Sequence, residues 1–368
     1  MKFSVHILKE FLKDNKTSWL SFLQFILNTK NWSPKGKLVI VKADKEREVT
    51  KFSGLDLVVS RGLNQKLKSI HSHFLPCVHS YIEKKDQMTA LRSVQSYLRS
   101  YRKRIEKNER NLFVYRCDIK KCGESIFVGE DSKLWKRFLE FGVSKEELSF
   151  IKKGLRPALK KDDVDFSFYY GTPTGSPLQP LALNTYLSLI DQEIYSNKGK
   201  GFYARFGDDI VLIHEDLNEF QRLVTKLEAT VRELKLDINM DKREVYQFNG
   251  APRKVVETLP FKSHLEFLGM SLSFVGGIAP NQKKTQNFMK DFRRVCRKLG
   301  IIHTEKRYFA AQSILDTFFS HPLMITVERK VDDRIWDKDI RKKIKQSLGR
   351  LLGKKSKDIK LPLMRSRK

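Results

Sequence analysis

The sequence predicts an α+β fold, and three of its features support this prediction. Apolar residues recur at helical spacing over long stretches of the chain. Short runs rich in β-branched and aromatic residues interrupt that pattern, and several of them flank tight polar turns as hairpin candidates. The chain has 368 residues, 40% of them hydrophobic, which is enough to bury two or three ordinary cores. A folded protein with more than one lobe is expected.

The first third of the chain is mainly helical in pattern, with one hairpin. Residues 1–33 carry apolar stripes at helical spacing, which predicts two packed helices. The runs Lys37–Lys42 and Arg47–Phe52 are separated by a polar turn and predict a β-hairpin. The helical pattern then returns from Leu55 to about Lys107.

A β-rich run, Leu112–Cys117, follows and ends at Asp118. The run predicts a buried strand with this carboxylate at its tip. Helical periodicity at Leu134–Phe141 comes next, and Ser144 followed by Glu147 forms a capping box that predicts another helix.

The next segments predict a loop, a helix and a second hairpin. Gly171–Pro180 is rich in Gly, Pro, Thr and Ser and leads directly into an apolar helix. Residues 203–214 predict a strand, a Gly-Asp-Asp turn and a strand, and Asp216 can cap the amphipathic helix that follows to about Leu236. One more hairpin candidate begins near Leu265, and helical periodicity continues beyond it.

The charge balance indicates a polyanionic partner. Lys and Arg number 72 against 43 Asp and Glu, which gives a net charge of +29. The segment Arg341–Lys368 holds twelve basic residues and one acid, and apolar spacing from Trp336 to Leu351 predicts a helix with one packed and one cationic face. A solvated charge run is the alternative for the last ten residues. No apolar run of about 18 residues and no signal peptide is found, so nucleic acid is favoured over a membrane.

The four cysteines predict reduced thiols in the cytoplasm. Cys77, Cys117, Cys122 and Cys296 include no CxxC pair and no Cys/His cluster at zinc spacing.

Three acidic residues are candidate metal ligands. Asp208 and Asp209 lie at the tip of the second predicted hairpin, between apolar strands, where two carboxylates repel each other unless cations lie between them. Hard divalent ions prefer oxygen ligands, and a pair of them stabilises the attacking and leaving oxygens of phosphoryl transfer. Asp118 alone could be a turn or cap residue, and the Asp pair alone could be an ordinary turn.

The loop at Gly171 is a candidate binding element. Its glycines, including Gly175, allow bare backbone to approach a base pair, and the helix that follows offers free amides. A simple helix-entry loop is the alternative for this segment.

Five segments in order carry a family resemblance. They are Arg116–Ile126 (RCDIKKCGESI), Gly171–Leu187 (beginning GTPTGSPLQP), Phe206–Asp209 (FGDD), Leu236–Lys242 (LDINMDK) and Phe267–Gly269 (FLG). They resemble motifs A to E of reverse transcriptases, especially the group II intron, retron and bacterial defence-associated branches. The resemblance covers roughly residues 37–275. It implies a right-hand polymerase fold, with fingers, a palm built on an antiparallel sheet and a helical thumb.

The resemblance also implies roles for individual residues. Asp118 and Asp208 would bind two Mg²⁺ ions, or Mn²⁺ in their place, with the Ile119 carbonyl as a further ligand and Asp209 in support. Lys242 would donate a proton to the leaving pyrophosphate. The other implied contacts are with the nucleotide for Lys42, Arg47, Ile119, Gly123, Thr174 and Gly175, and with the primer, as a primer grip, for Phe267, Leu268 and Gly269. Ordinary surface charge is the alternative for Lys42 and Arg47.

Three positions depart from the family pattern. Gly123 lies five residues after Asp118, where relatives carry a Phe or Tyr that blocks the nucleotide's 2′-hydroxyl. This departure predicts either weakened discrimination against ribonucleotides or a gate supplied by another side chain or a bound RNA. Thr174 replaces a glutamine that commonly contacts nucleotide or template, and Phe206 replaces a tyrosine.

The function implied is RNA-directed DNA synthesis with a structured noncoding RNA in bacterial antiphage defence. Expected partners are that RNA, nascent DNA and nucleotide triphosphates, with homo-oligomers as an option. The domains expected are N-terminal helices and fingers (1–111), palm motif A with an insertion (112–170), palm motifs B to E (171–275) and a basic thumb with its tail (276–368). The alternatives are a retron-type enzyme, whose Val-Thr-Gly signature is replaced here by Phe274–Ile278, and a catalytically silent RNA-binding protein.

Overall fold

The protein is described here from a computed structural model. The structure describes residues 32–42, 46–161, 164–166, 170–249 and 255–281, with the single positions 286 and 346. The predicted helices in residues 1–31 and most of the basic segment Arg341–Lys368 lie outside these residues. Within them the fold is α+β, as the sequence predicts.

The described residues form two compact units. The first comprises the described residues up to Ala90 together with Leu112–Val245, and the second comprises Leu91–Asn111 with the described residues from Tyr246 onward. None of the helices described is both long enough and apolar enough to span a bilayer. The three cysteines in this part of the chain are buried free thiols.

The first unit begins with a mixed sheet around the predicted hairpin. Strands β1 (Lys35–Lys42) and β2 (Glu46–Phe52) pair antiparallel, and β1 also pairs in parallel with β4 (Ala158–Lys161). Strand β4 in turn pairs antiparallel with β5 (Val164–Phe166). The sequence pattern does not indicate β4 or β5. Strand β4 forms because the edge of β1 supplies its backbone partners, and β4 does the same for β5.

Two helices follow the hairpin instead of one continuous helical stretch. Helix α1 (Gly54–Lys66) runs into a 3-10 helix (Leu67–His73), and helix α2 (Gln87–Arg104) begins after an irregular segment, residues 74–86. The prediction of helical structure from Leu55 to about Lys107 is therefore wrong at this segment. It contains a proline and uses backbone hydrogen bonds to a distant strand instead of helical ones.

The central sheet of the first unit matches the predicted strands. Strand β3 (Leu112–Asp118) pairs antiparallel with β7 (Asp209–His214), which pairs antiparallel with β6 (Phe202–Phe206). All three strands are largely buried, because helices α6 (Gln179–Tyr195) and α7 (Leu217–Glu233) pack beside them. Three shorter helices, α3 (Cys122–Ser125), α4 (Lys133–Glu140) and α5 (Lys145–Leu155), lie between β3 and β4 in the chain.

Local capping signals set two of the helix starts as predicted. Ser144 accepts a hydrogen bond from the Glu147 N–H, and the Glu147 carboxylate accepts one from the Ser144 N–H, which completes the capping box of α5. Asp216 accepts from the Glu219 N–H at the start of α7. Both boundaries follow from contacts within three residues of sequence.

The second unit contains the last predicted hairpin. Strand β8 (Glu244–Phe248) crosses the boundary and pairs in parallel with β9 (Phe261–Lys262). Strands β10 (His264–Phe267), β11 (Met270–Ser273) and β12 (Ile278–Pro280) form an antiparallel sheet. The β10–β11 turn has positive φ values at Leu268 and Gly269, 54° and 72°. The family motif at 267–269 is thus a tight two-residue turn.

Candidate active site

The first acidic residue lies where the buried strand β3 ends. Asp118 pairs across the sheet with Asp209, the first residue of β7, so the register places the two residues opposite each other. Asp118 is 7% exposed. The apolar run before it fixes this position, because burial of that run holds the strand within the sheet.

The other two acids lie at the turn between β6 and β7. Phe206 pairs with Asp209, so Gly207 and Asp208 are the two central residues of a tight hairpin turn. Gly207 has a φ of 64°, a conformation that glycine adopts without strain. The N–H of Ile119 donates to the Asp208 carbonyl oxygen at 3.2 Å, which ties the turn to the residue that follows Asp118.

The three carboxylates form one cluster, called here the acidic site. One oxygen from each of Asp118, Asp208 and Asp209 lies within 4.8 Å of the others. Burial, and then the charges of its two acidic neighbours, raise the pKa of Asp209 to about 6. Burial and Asp118 likewise raise the pKa of Asp208. An all-oxygen donor set with excess negative charge suits a hard divalent cation, so the residues present fit such an ion.

Lys242 and Asn239 contact the first carboxylate. Lys242 lies in a 3-10 helix (Met240–Lys242), and its Nζ is 2.9 Å from Asp118 Oδ2. Asn239 Nδ2 donates to the same oxygen at 3.3 Å, and its N–H donates to the Asp118 carbonyl oxygen at 2.8 Å. The segment Leu236–Lys242, which resembles motif D, thus contacts Asp118 in the segment that resembles motif A.

A fully buried ion pair stabilises the β6–β7 turn that carries Asp208. The sequence pattern did not indicate this pair. Arg205 of β6 and Asp191 of α6 are both 0% exposed, and their Nη2 and Oδ2 atoms are 2.6 Å apart. Arg205 Nη1 also donates to the Gly207 carbonyl oxygen at 2.9 Å and to Asn184 Oδ1 at 3.0 Å. The guanidinium therefore fixes the turn that carries Asp208. The available signal was an arginine within the apolar run Phe202–Phe206 and an aspartate directly after the apolar run Leu181–Ile190.

The irregular segment before α2 supports the same turn from the other side. The Arg205 N–H donates to the Cys77 carbonyl oxygen at 2.9 Å, so this segment lies along the edge of β6. The Gly207 N–H donates to Ser80 Oγ at 2.7 Å. Tyr81 follows with a φ of 57°, and its side chain is 55% exposed. Partial removal of its side chain from water, and then the charge of Asp208, raise its pKa. An exposed aromatic ring thus lies close to the acidic site. The sequence pattern did not indicate a role for this ring.

The loop that begins at Gly171 contacts the β1–β2 hairpin through its backbone. The Thr50 N–H of β2 donates to the Thr174 carbonyl oxygen at 2.7 Å. Gly175 has a φ of 102°, and a Cβ atom added there would lie 3.0 Å from the Thr50 carbonyl oxygen. Both predicted residues therefore belong to a tight junction between loop and hairpin. Gly123, also predicted, lies in α3, where the Thr172 N–H donates to its carbonyl oxygen at 2.6 Å.

Two groups of predicted residues are placed only in part. Lys42 and Arg47 lie near the end of the β1–β2 hairpin, and their side chains fall outside the described part of the chain. Phe267, Leu268 and Gly269 belong to the second unit, where Phe267 is fully buried.

Comparisons with known proteins identify a family for the sequence and similar folds among solved structures. The family model described as reverse transcriptase (RNA-dependent DNA polymerase) matches residues 48–272, more than half of the chain. Telomerase of Candida albicans, in a structure with a fragment of telomeric RNA, superposes with a TM-score of 0.54 at 14% identity, covering 95% of this chain and 64% of that one. Apo telomerase of Candida tropicalis superposes with a TM-score of 0.52 at 10% identity, covering 67% of this chain and 55% of that one.

These structural matches establish the fold alone, because their sequence identities are low. The chain spans less than two thirds of the length of either telomerase chain. A search of curated proteins found no match. The family match, together with the three clustered aspartates, leads to one conclusion: the chain belongs to the reverse transcriptase family.

Proposed function

We propose that the protein extends a nucleic-acid 3′ end with deoxyribonucleotides on an RNA template, by phosphoryl transfer at the acidic site. The observation that supports this most directly is the meeting of Asp118, Asp208 and Asp209, whose carboxylate oxygens lie within 4.8 Å of one another. Asp118 is far from the Asp208–Asp209 pair in sequence, so the cluster is not an ordinary turn or cap.

The acidic site would hold two Mg²⁺ ions, with Mn²⁺ as a substitute, and the Ile119 carbonyl as an added ligand. Bound Mg²⁺ supplies charge stabilisation for the attacking and leaving oxygens of phosphoryl transfer. Lys242 would act as a proton donor to the leaving pyrophosphate. Its ammonium group lies 2.9 Å from Asp118 Oδ2, so it is already held at the site.

Further contacts are proposed from the family motifs. Lys42 and Arg47 would contact the triphosphate, and Thr174 and Gly175 the nascent base pair. The turn at Phe267–Gly269 would contact the primer, and the region from 276 to 368 would form a basic thumb. The domain division given above is part of the same proposal, with fingers before residue 112 and palm up to residue 275.

The partner we propose is a structured noncoding RNA, in a bacterial antiphage defence role. The net charge of +29 supports a polyanionic partner, and binding through phosphates would weaken steeply with salt. One of the matched telomerases is itself recorded with a fragment of telomeric RNA. The defence role rests on the resemblance of the sequence motifs. Gly123 and Thr174 are positions at which those motifs depart from the family pattern.

Extension of a primer with labelled deoxyribonucleotides in Mg²⁺ tests the proposed function. The double variant Asp208→Asn, Asp209→Asn should lose incorporation, because two of three carboxylates become neutral while their size is kept. Asp241→Asn is the matched control, since Asp241 is an exposed acid beside Lys242 and outside the cluster. Equal incorporation by the wild type and the double variant would overturn the proposal in favour of a silent RNA-binding protein.

A further inference from the structure

Gln179 occupies the space beside Gly123 that a side chain at position 123 would otherwise fill. A Cβ atom added to Gly123 would lie 2.7 Å from Gln179 Nε2 and 3.6 Å from Thr172 Oγ1. Gly123 does not have a positive φ, so its backbone would accept other residues. A side chain at this position would therefore displace the Gln179 amide, whereas the backbone conformation does not require glycine.

The amide of Gln179 is held in a defined orientation. Its Nε2 donates to the Thr172 carbonyl oxygen at 3.3 Å and to Thr172 Oγ1 at 3.2 Å. Because a carbonyl oxygen only accepts, the nitrogen of the amide must face Thr172. Thr172 is fixed in turn, since its hydroxyl donates to the Gly123 carbonyl oxygen at 3.0 Å. Among the described residues nothing donates to Gln179 Oε1, and the side chain is only partly buried.

This group lies beside the acidic site. Gly123 belongs to α3, which begins four residues after Asp118 and packs against α6, the helix that Gln179 begins. The adjacent thiol of Cys122 has its pKa raised to about 12 by burial, and next by the charge of Asp208. In a nucleotide the sugar is joined to the α-phosphate through a single methylene group and oxygen. A nucleotide whose α-phosphate is held at the acidic site would therefore have its sugar close to Gly123 and Gln179.

We propose that Gln179 is the specificity-determining residue for the sugar of the incoming nucleotide. Its amide, supported by Thr172 and made possible by Gly123, fills the volume that a 2′-hydroxyl would need, so that deoxyribonucleotides bind in preference to ribonucleotides. This inference rests on the proposed function, because it requires nucleotide binding at the acidic site.

Nucleotide affinities test the inference independently of catalysis. The dissociation constants of dATP and ATP would be measured for the full chain by displacement of a fluorescent nucleotide, with Ca²⁺ replacing Mg²⁺. Gln179→Ala should improve ATP binding relative to dATP by roughly ten-fold, because it opens space for one added hydroxyl. Gln179→Leu fills most of the same volume without the amide, and it should keep the wild-type preference.

Combined substitutions at positions 123 and 179 test whether the preference for dATP can be restored. Gly123→Phe alone should weaken binding of both nucleotides, because its Cβ meets the Gln179 amide. In the Gln179→Ala background the same substitution refills the emptied volume and should restore the preference for dATP. An unchanged dATP-to-ATP ratio in Gln179→Ala, with both nucleotides still bound, would overturn the inference.

Parallel extension assays separate this inference from the proposed function. Nucleotide binding without incorporation by the wild type would overturn the proposed function alone. Normal incorporation with the same sugar preference in Gln179→Ala would overturn the inference alone. A wild type that binds neither nucleotide would overturn both.

Discussion

Replacing Asp191 with alanine would leave the Arg205 guanidinium in the core without its carboxylate. Both side chains are 0% exposed, and Arg205 donates to Asp191 from Nε at 2.9 Å and from Nη2 at 2.6 Å. Removing one partner of such a buried pair costs about 3–5 kcal/mol. At roughly 2–4 °C per kcal/mol for a domain of this size, the melting temperature should fall by on the order of 10 °C.

Thermal unfolding followed by circular dichroism measures this loss. The matched control is Glu219→Ala, which removes one partner of the ion pair with Arg222 on the surface of α7. Those two side chains are 50% and 47% exposed, so the control should cost no more than about 1 kcal/mol. Equal melting temperatures for Asp191→Ala and Glu219→Ala would refute the view that Arg205 depends on a buried partner.

A double variant separates stability from the positioning of the turn. Asp191→Leu with Arg205→Met replaces the ion pair by apolar groups and should recover most of the lost stability. It still lacks the Arg205 hydrogen bonds to Gly207 and Asn184. Primer extension should therefore stay at least about ten-fold below wild type, a loss of roughly 1.4 kcal/mol in transition-state stabilisation. Full recovery of extension would show that the turn does not need Arg205.

Two further predictions concern the acidic site. In the metal-free protein the pKa of Asp209 is raised from 3.8 to about 6. The folded state thus holds this proton more tightly than the unfolded state, and the associated stability is lost as the pH rises from about 4 through about 6. The increase in melting temperature caused by Mg²⁺ should accordingly grow between about pH 5 and pH 7, and a shift independent of pH would contradict this. Lys242→Met should slow extension roughly 100-fold with little change in stability, since the Lys242 side chain is half-exposed. Lys226→Met, which removes an exposed ion pair between Lys226 of α7 and Glu193 of α6, is its control. Equal rates for the two variants would exclude a catalytic role for Lys242.

The local structure around the site could be predicted from sequence because its causes are local. The apolar run Leu112–Cys117 becomes strand β3, and the Gly-Asp-Asp segment becomes the turn between β6 and β7. The caps at Ser144 and Asp216 act over three residues. Family resemblance then selected the acids, since spacing alone does not distinguish a metal ligand from a turn residue.

The tertiary structure decided the contacts between residues distant in the chain. Strand β4 forms because β1 offers it an edge, and β5 forms because β4 does the same. Residues 74–86 leave the helix because the edge of β6 supplies their backbone partners. The burial of Arg205 depends on Asp191 from a neighbouring helix, and the space at Gly123 depends on Gln179. Hydrophobic periodicity reports how a residue relates to its near neighbours in sequence. Whether a charge is neutralised or a volume is filled depends on side chains that only folding brings together.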